Sequence, residues 1–405
     1  MRGLPKGNII CKLLFLCVCC VTGHERIGLP SDTLHVAEEK QNDAPGRRIY
    51  TINAQHLYGS GSGFEGSQHH RIERSADSKS HGTPKSVVAQ LADDHHTTLI
   101  VHWAGEGSDV IIALAKNSSE EDRSDLYVSY DYGANFTDVN SMMTVSPGGA
   151  QAVINKYYTV NKLNTHYLFT DLHSQCVFMT DDSCKTFTRH CGLPFKPRSL
   201  SVHPHNAAYL LGLDEESALK QLYLSNDNGF TWVPVVSNVK AFYWDFPGSN
   251  DTSRIYVQEQ QGWNDGQILS ISLASFARSA SSESRRAPPK MDVLLTHVVD
   301  FQINGDYIFA TRSVNLLGSP SRGPTMQLWI SHKGESFFRA EFPNEHNVTD
   351  FYVADASEGQ LMVCVSHNES LTNLYISDVD SYKFSLSLER VVYFNPKKSA
   401  NNNWI

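Results

Sequence analysis

Three short stretches share one template at a regular step, and that regularity limits the folds open to this chain. Residues 225–232 (SNDNGFTW) carry Ser225 and Asp227, whose side chains can bond turn backbone groups, and Gly229, which can take a positive φ. Trp232 then starts the next strand by packing inward. The template returns at 129–136 (SYDYGANF) with Ser129, Asp131, Gly133 and Phe136. At 180–187 (TDDSCKTF) it returns with Thr180, Asp182 and Phe187, and Cys184 stands in the glycine slot. Each stretch reads as an Asp-box, a self-bonded turn between antiparallel strands. Fainter copies at 272–276 (SLASF), 331–337 (SHKGESF) and 377–384 (SDVDSYKF) keep the outer Ser and aromatic positions. The step is roughly 50 residues, the length of a four-stranded blade. Each aspartate's bonds close its own turn, so the repeated Asp reads as a structural staple rather than a catalytic carboxylate.

Between the turns lie short β-rich runs, among them 98–102, 109–115, 126–128, 167–170, 208–213, 221–224, 254–257, 306–311, 328–330, 360–365 and 373–376. No long helical periodicity interrupts them, so the expected class is all-β, a β-propeller with about six blades present. At 405 residues, 40% hydrophobic, the chain can bury a large core, and the repetition argues for one array over 85–397. A formal charge of −9 leaves no basic footprint for nucleic acid. No metal or other cofactor is expected, since His69-His70 and the other His pairs lack further ligands at a recognisable spacing.

Residues 1–23 carry Arg2 and Lys6, then an apolar run, then small residues, and read as a secretory signal rather than a membrane span, because Lys12 interrupts the apolar stretch. No later segment is apolar enough to span, so the expected location is the secretory lumen or outside the cell. The following 24–74 reads as a propeptide or flexible leader, with Arg71 and Arg74 in the R-x-x-R spacing of convertase cleavage. Of the cysteines beyond the signal, Cys176 and Cys191 are equidistant from the centre of the second turn. A hairpin there places them opposite each other, which predicts a disulfide. The partners of Cys184 and Cys364 are left open. Sequons at Asn117, Asn250, Asn347 and Asn368 are candidate glycosylation sites, and a fifth, Asn135, sits inside an Asp-box turn and is expected to be the poorest acceptor.

The runs 101–115 (VHWAGEGSDVIIALA), 125–136 (DLYVSYDYGANF), 220–232 (KQLYLSNDNGFTW) and 352–378 (YVADASEGQLMVCVSHNESLTNLYISD) resemble the sortilin family, over about 87–394. The resemblance implies a ten-bladed propeller behind a cleaved propeptide, in receptors that bind peptides, propeptides and protein cargo and carry them between Golgi, cell surface and endosome. Six repeats against ten blades, with 398–405 as a short tail, make the expected structure an incomplete ring. Non-enzymatic cargo binding is the leading function, with Arg312 and Arg322 as candidate partners for a peptide carboxylate. Histidines such as His95, His96, His203 and His205 are candidates for acid-triggered release. The alternatives are a six-bladed Asp-box glycosidase of the sialidase type and a secreted decoy. A sialidase needs an F/Y-R-I-P stretch, and the nearest match, 193–197 (LPFKP), lacks the arginine.

Overall fold

The computed structural model describes the backbone of residues 38–40, 49–52 and 87–90. Between 96 and 391 it describes every residue except 106–107, 118–122, 160–164, 247–253, 263–264, 274–289, 315–324, 344–347, 358, 369–370 and 379–380. All described residues belong to the unit formed by 26–391; of a second unit, 1–25 with 392–405, none is described.

The chain is all-β. Strands β1 (Glu38–Lys40), β2 (Ile49–Ile52) and β3 (Val87–Gln90) form a three-stranded sheet, so the start of strand patterning near Val87 pairs with the leader. Six four-stranded antiparallel meanders follow in chain order, the sheet type of β-propellers. Sheet one is β4 (Thr98–Trp103), β5 (Ile111–Lys116), β6 (Ser124–Ser129) and β7 (Thr137–Asp138). Sheet two is β8 (Lys156–Thr159), β9 (Tyr167–Asp171), β10 (Cys176–Thr180) and β11 (Thr188–Cys191). Sheet three is β12 (Ser199–Val202), β13 (Leu210–Leu213), β14 (Leu222–Ser225) and β15 (Val233–Val236). Sheet four is β16 (Val239–Trp244), β17 (Arg254–Gly262), β18 (Asp265–Ser272) and β19 (Met291–Thr296). Sheet five is β20 (Val298–Asn304), β21 (Tyr307–Val314), β22 (Thr325–His332) and β23 (Phe338–Arg339). Sheet six is β24 (Asp350–Asp355), β25 (Gln360–Asn368), β26 (Leu371–Asp378) and β27 (Ser385–Leu388).

The six turn starts read from the sequence, at 129, 180, 225, 272, 331 and 377, all fall at or next to the end of a sheet's third strand. The second and third strands of sheets two to five are apolar on both faces because a sheet lies against each. Phe169 of β9 enters the cluster with Leu114 and Val128 of sheet one, while its neighbour Leu168 joins Leu200 and Leu210 of sheet three. The same sandwiching joins Leu211 and Leu224 to Val257 and Ile271, Tyr256 and Ile268 to Phe301 and Ile308, and Phe309 and Ile330 to Val363 and Tyr375. Each fully buried side chain of this size contributes about 1.5–3 kcal/mol, so the interfaces between sheets carry the fold.

Two pairs of first strands are bonded side by side. Tyr158 on β8 donates to Arg198 O and accepts from Leu200 N–H, both at 3.3 Å, and Tyr243 on β16 donates to Phe301 O on β20 at 3.5 Å. The fourth strands are short or exposed. Sheet six differs from the others on one face: the row Tyr352, Cys364, Leu374 and Leu388 runs across it, with Tyr352 42% and Leu388 56% exposed.

Candidate functional site

Two features of the sheets invite a functional reading, the turns between third and fourth strands and the open edges of the first strands. In the turns the local sequence sets the geometry. Ser129 Oγ donates to Asp131 Oδ1 at 2.8 Å and accepts from Gly133 N–H at 2.8 Å. Thr180 makes the same pair of bonds with Asp182 and with Cys184 N–H, and Ser225 with Asp227 and with Gly229 N–H. Two successive residues in each turn take positive φ: Tyr132 and Gly133, Ser183 and Cys184, Asn228 and Gly229. The turn at Lys333 and Gly334 keeps this backbone shape without an aspartate. Phe136 and Phe187 pack into the clusters beside their turns, and Trp232 donates to Gly229 O at 3.0 Å and meets the Phe195 ring edge-on.

Of a further donor in each turn, Asn135 was expected to be a poor glycan acceptor inside its turn, while Thr186 and Thr231 escaped the sequence reading. Asn135, Thr186 and Thr231 donate side-chain bonds to the second carboxylate oxygen of Asp131, Asp182 and Asp227, at 2.8, 2.6 and 2.6 Å. The spacing was visible, but an amide and a hydroxyl share no letter in the sequence. These donors decide the charge of the turns. The Asn135 backbone N–H and amide hold the Asp131 carboxyl below the ordinary carboxylate value. At Asp182 and Asp227 burial pushes upward, and the bonds from Thr186 and Thr231 outweigh it, so both are lowered. The aspartates are saturated by their own turns, and none is free to act as a catalytic base.

Cys176 and Cys191 stand opposite each other on β10 and β11 and are joined by a disulfide. Cys184 is a buried free thiol, and burial, with Asp182's charge adding to it, pushes its pKa up, so it stays protonated and unreactive. Cys364 is likewise a buried free thiol. His190, on β11 beside the disulfide, lies with its ring 3.7 Å from that of Phe230 in the third turn. Its Nε2 has no hydrogen-bond partner among the described residues. Burial lowers its pKa, and Asp227 pulls partly in the other direction. No sequence signal pairs these two residues, since they belong to different repeats.

At the other feature, each of β4, β8, β12, β16, β20 and β24 pairs with one strand of its own sheet, leaving its second edge outside the ladder. A small cleft between sheets five and six opens beside Phe301 and Phe351, with Asp300, Gln302 and Thr311 supplying polar groups. Arg312 sits next to Thr311 on β21. Its Nε donates to Thr296 O at 2.8 Å and its guanidinium lies 4.9 Å from the centre of the Trp329 ring. Arg322, Asn250, Asn347, and Arg71 and Arg74 lie outside the described residues. Asn117 directly follows β5 and Asn368 is the last residue of β25, both next to the connection between second and third strands. His203 is buried and accepts the backbone N–H groups of His205 and Asn206 at its Nδ1. Among the described residues no group of three or more His, Cys, Asp or Glu could hold a metal ion, and no helix is long and apolar enough to cross a membrane.

The family model described as "Sortilin, neurotensin receptor 3" matches residues 124–401. The Sortilin-related receptor of Mus musculus is 36% identical over 327 residues, which cover 80% of this chain and 14% of that protein. The VPS10 domain-containing receptor SorCS3 of Mus musculus is 24% identical over 319 residues, 76% of this chain and 24% of that protein. A solved prolyl endopeptidase aligns over 90% of this chain and 51% of that chain with a TM-score of 0.44 and 11% identity, a likeness too distant to bear on fold or chemistry. This chain thus spans about a seventh of the length of the sortilin-related receptor it matches. The match reaches from the third strand of sheet one to beyond sheet six, and on it the chain belongs to the Sortilin-Vps10 family.

Proposed function

We propose that this chain forms part of the lumenal ectodomain of a sorting receptor, a non-enzymatic module that binds extended peptide or protein cargo and releases it on passage from Golgi and cell surface into endosomes. The observation that carries this reading is the set of first strands, each of which ends the ladder of its own sheet. An extended peptide adds to such an edge by main-chain hydrogen bonds. Arg312, on the face of sheet five turned towards sheet four, is the group we assign to a terminal carboxylate, with Arg322 as a second donor. The propeptide, 24–74, is a candidate occupant before convertase cleavage at Arg74. The Cys176–Cys191 bond fits an oxidising compartment. The exposed ends of the apolar row on sheet six, Tyr352 and Leu388, fit a place within a larger repeat array, as in the longer relatives.

The test is calorimetric titration of a synthetic 24–74 peptide into protein beginning at Ser75. Saturable binding, weakened by Arg312→Ala without loss of the folded state, is the expected result. A flat titration with this peptide and with a library of peptides bearing free carboxyl ends contradicts the reading.

A further inference from the structure

Two sequons in sheet one have opposite bonding states. Asn135, in Asn135-Phe136-Thr137, is exposed, so sequence and accessibility both nominate it for an N-linked glycan. Yet its backbone N–H donates to Asp131 Oδ1 and its Nδ2 to Asp131 Oδ2, both at 2.8 Å. It occupies the position that Thr186 and Thr231 fill in the next two turns, with the same bond to the same carboxylate oxygen. Asn117, in Asn117-Ser118-Ser119, is bonded the other way round: its Oδ1 accepts Thr97 N–H at 3.0 Å, and its Nδ2 has no partner among the described residues.

The transfer reaction distinguishes the two. A bond forms between Nδ2 and the first sugar's anomeric carbon, the bond from that carbon to the diphosphate of a lipid-linked oligosaccharide breaks and the lipid diphosphate leaves, and the amide's proton passes to a basic group of the transferase. The amide has to reach that enzyme's own site, so the charge-assisted bonds that hold Asn135 on Asp131 must break first and oppose the reaction. The turn also forms early. Its bonds from Ser129 and Asn135 to Asp131, and from Gly133 to Ser129, span four residues at most, so it closes without the rest of the sheet, within the microseconds typical of hairpin formation.

We infer that Asn117 carries an N-glycan while Asn135 is a silent sequon, masked by Asp131 and used instead to close the turn. The inference rests on the lumenal reading of the chain. Removing the mask is then expected to create a glycosylation site without adding a sequon.

The test expresses the full chain from Met1 in a secretory host, pools cell and medium protein, and measures site occupancy by mass spectrometry after enzymatic deglycosylation in heavy-oxygen water. Pooling keeps misfolded variants in the count. Occupancy at Asn117 is expected to exceed that at Asn135 by about tenfold or more, the factor one charge-assisted hydrogen bond can carry. Asp131→Ala is expected to raise Asn135 occupancy by a similar factor, and Asn135→Thr to leave the thermal midpoint unchanged. Equal occupancy of both sites in the natural sequence overturns the inference and leaves the lumenal reading standing, as does an Asn135 that stays bare in Asp131→Ala. If neither site is occupied, both fall together.

Discussion

Replacing Asp227 by alanine removes the acceptor for Ser225 Oγ, Thr231 N–H and Thr231 Oγ1 at once. These groups can be partly rehydrated at the surface, so the expected cost is about 1–3 kcal/mol, read as a lower urea midpoint with an unchanged slope. The lowered carboxyls of Asp182 and Asp227 contribute stability above the ordinary carboxylate value, and it is lost as pH falls through their folded values, in the strongly acid range. His190 acts at milder pH. Its folded pKa lies below the ordinary 6.5, so as pH falls from 6.5 the unfolded chain takes up the proton first and stability drops until the folded value is reached. Urea midpoints at pH 7.5 and 5.5 are therefore expected to lie closer together in His190→Leu than in the natural sequence. Equal spacing would remove His190 from the account. At this scale the sequence shows residues whose chemistry is unusual, Ser, Asp and Gly at fixed offsets. It hides Thr186 and Thr231, whose roles depend on where one donor hydrogen points, and His190, whose partner lies in another repeat.

Strands follow a different rule of legibility. Second and third strands that are buried on both faces read as apolar runs, such as IIALAK in β5 and YLFTD in β9. First strands such as KYYT in β8 and fourth strands such as TRHC in β11 mix polar and apolar residues, and they went unread because an edge strand need not be apolar. The disulfide was legible because the turn fixes the register: Cys176 pairs with Cys191, and the next three pairs keep step. The bond is expected to contribute about 3 kcal/mol for its separation of 15 residues, measured by comparing the Cys176→Ser, Cys191→Ser double variant with the parent in urea. Gly212 is the corresponding device in sheet three. A Cβ there would stand 2.1 Å from Phe195, whose ring stacks on Tyr223 at 5.3 Å and meets Trp232 at 4.9 Å. Gly212→Ala forces that cluster apart, with an expected loss of about 1–3 kcal/mol and a change in near-ultraviolet circular dichroism.

Sheets one to five each present one face to a following sheet, whereas on sheet six Tyr352 and Leu388, at the two ends of the row that runs through buried Cys364, are exposed. Leu388→Glu is expected to leave stability within about 0.5 kcal/mol, because the residue is 56% exposed, and to raise the concentration at which light scattering detects self-association. A marked loss of stability would show that the row is covered. The repeat period announced the sheets and the resemblance of four runs announced the family, but the first-strand edges emerge only when the sheets are assembled. On those edges the proposed cargo binding depends. Amide hydrogen exchange of the purified chain with and without the 24–74 peptide tests it most directly. The account predicts slowed exchange in first strands, with β20 and β24 beside the cleft among them; slowing confined to fourth strands or turns, or none at saturating peptide, would contradict it.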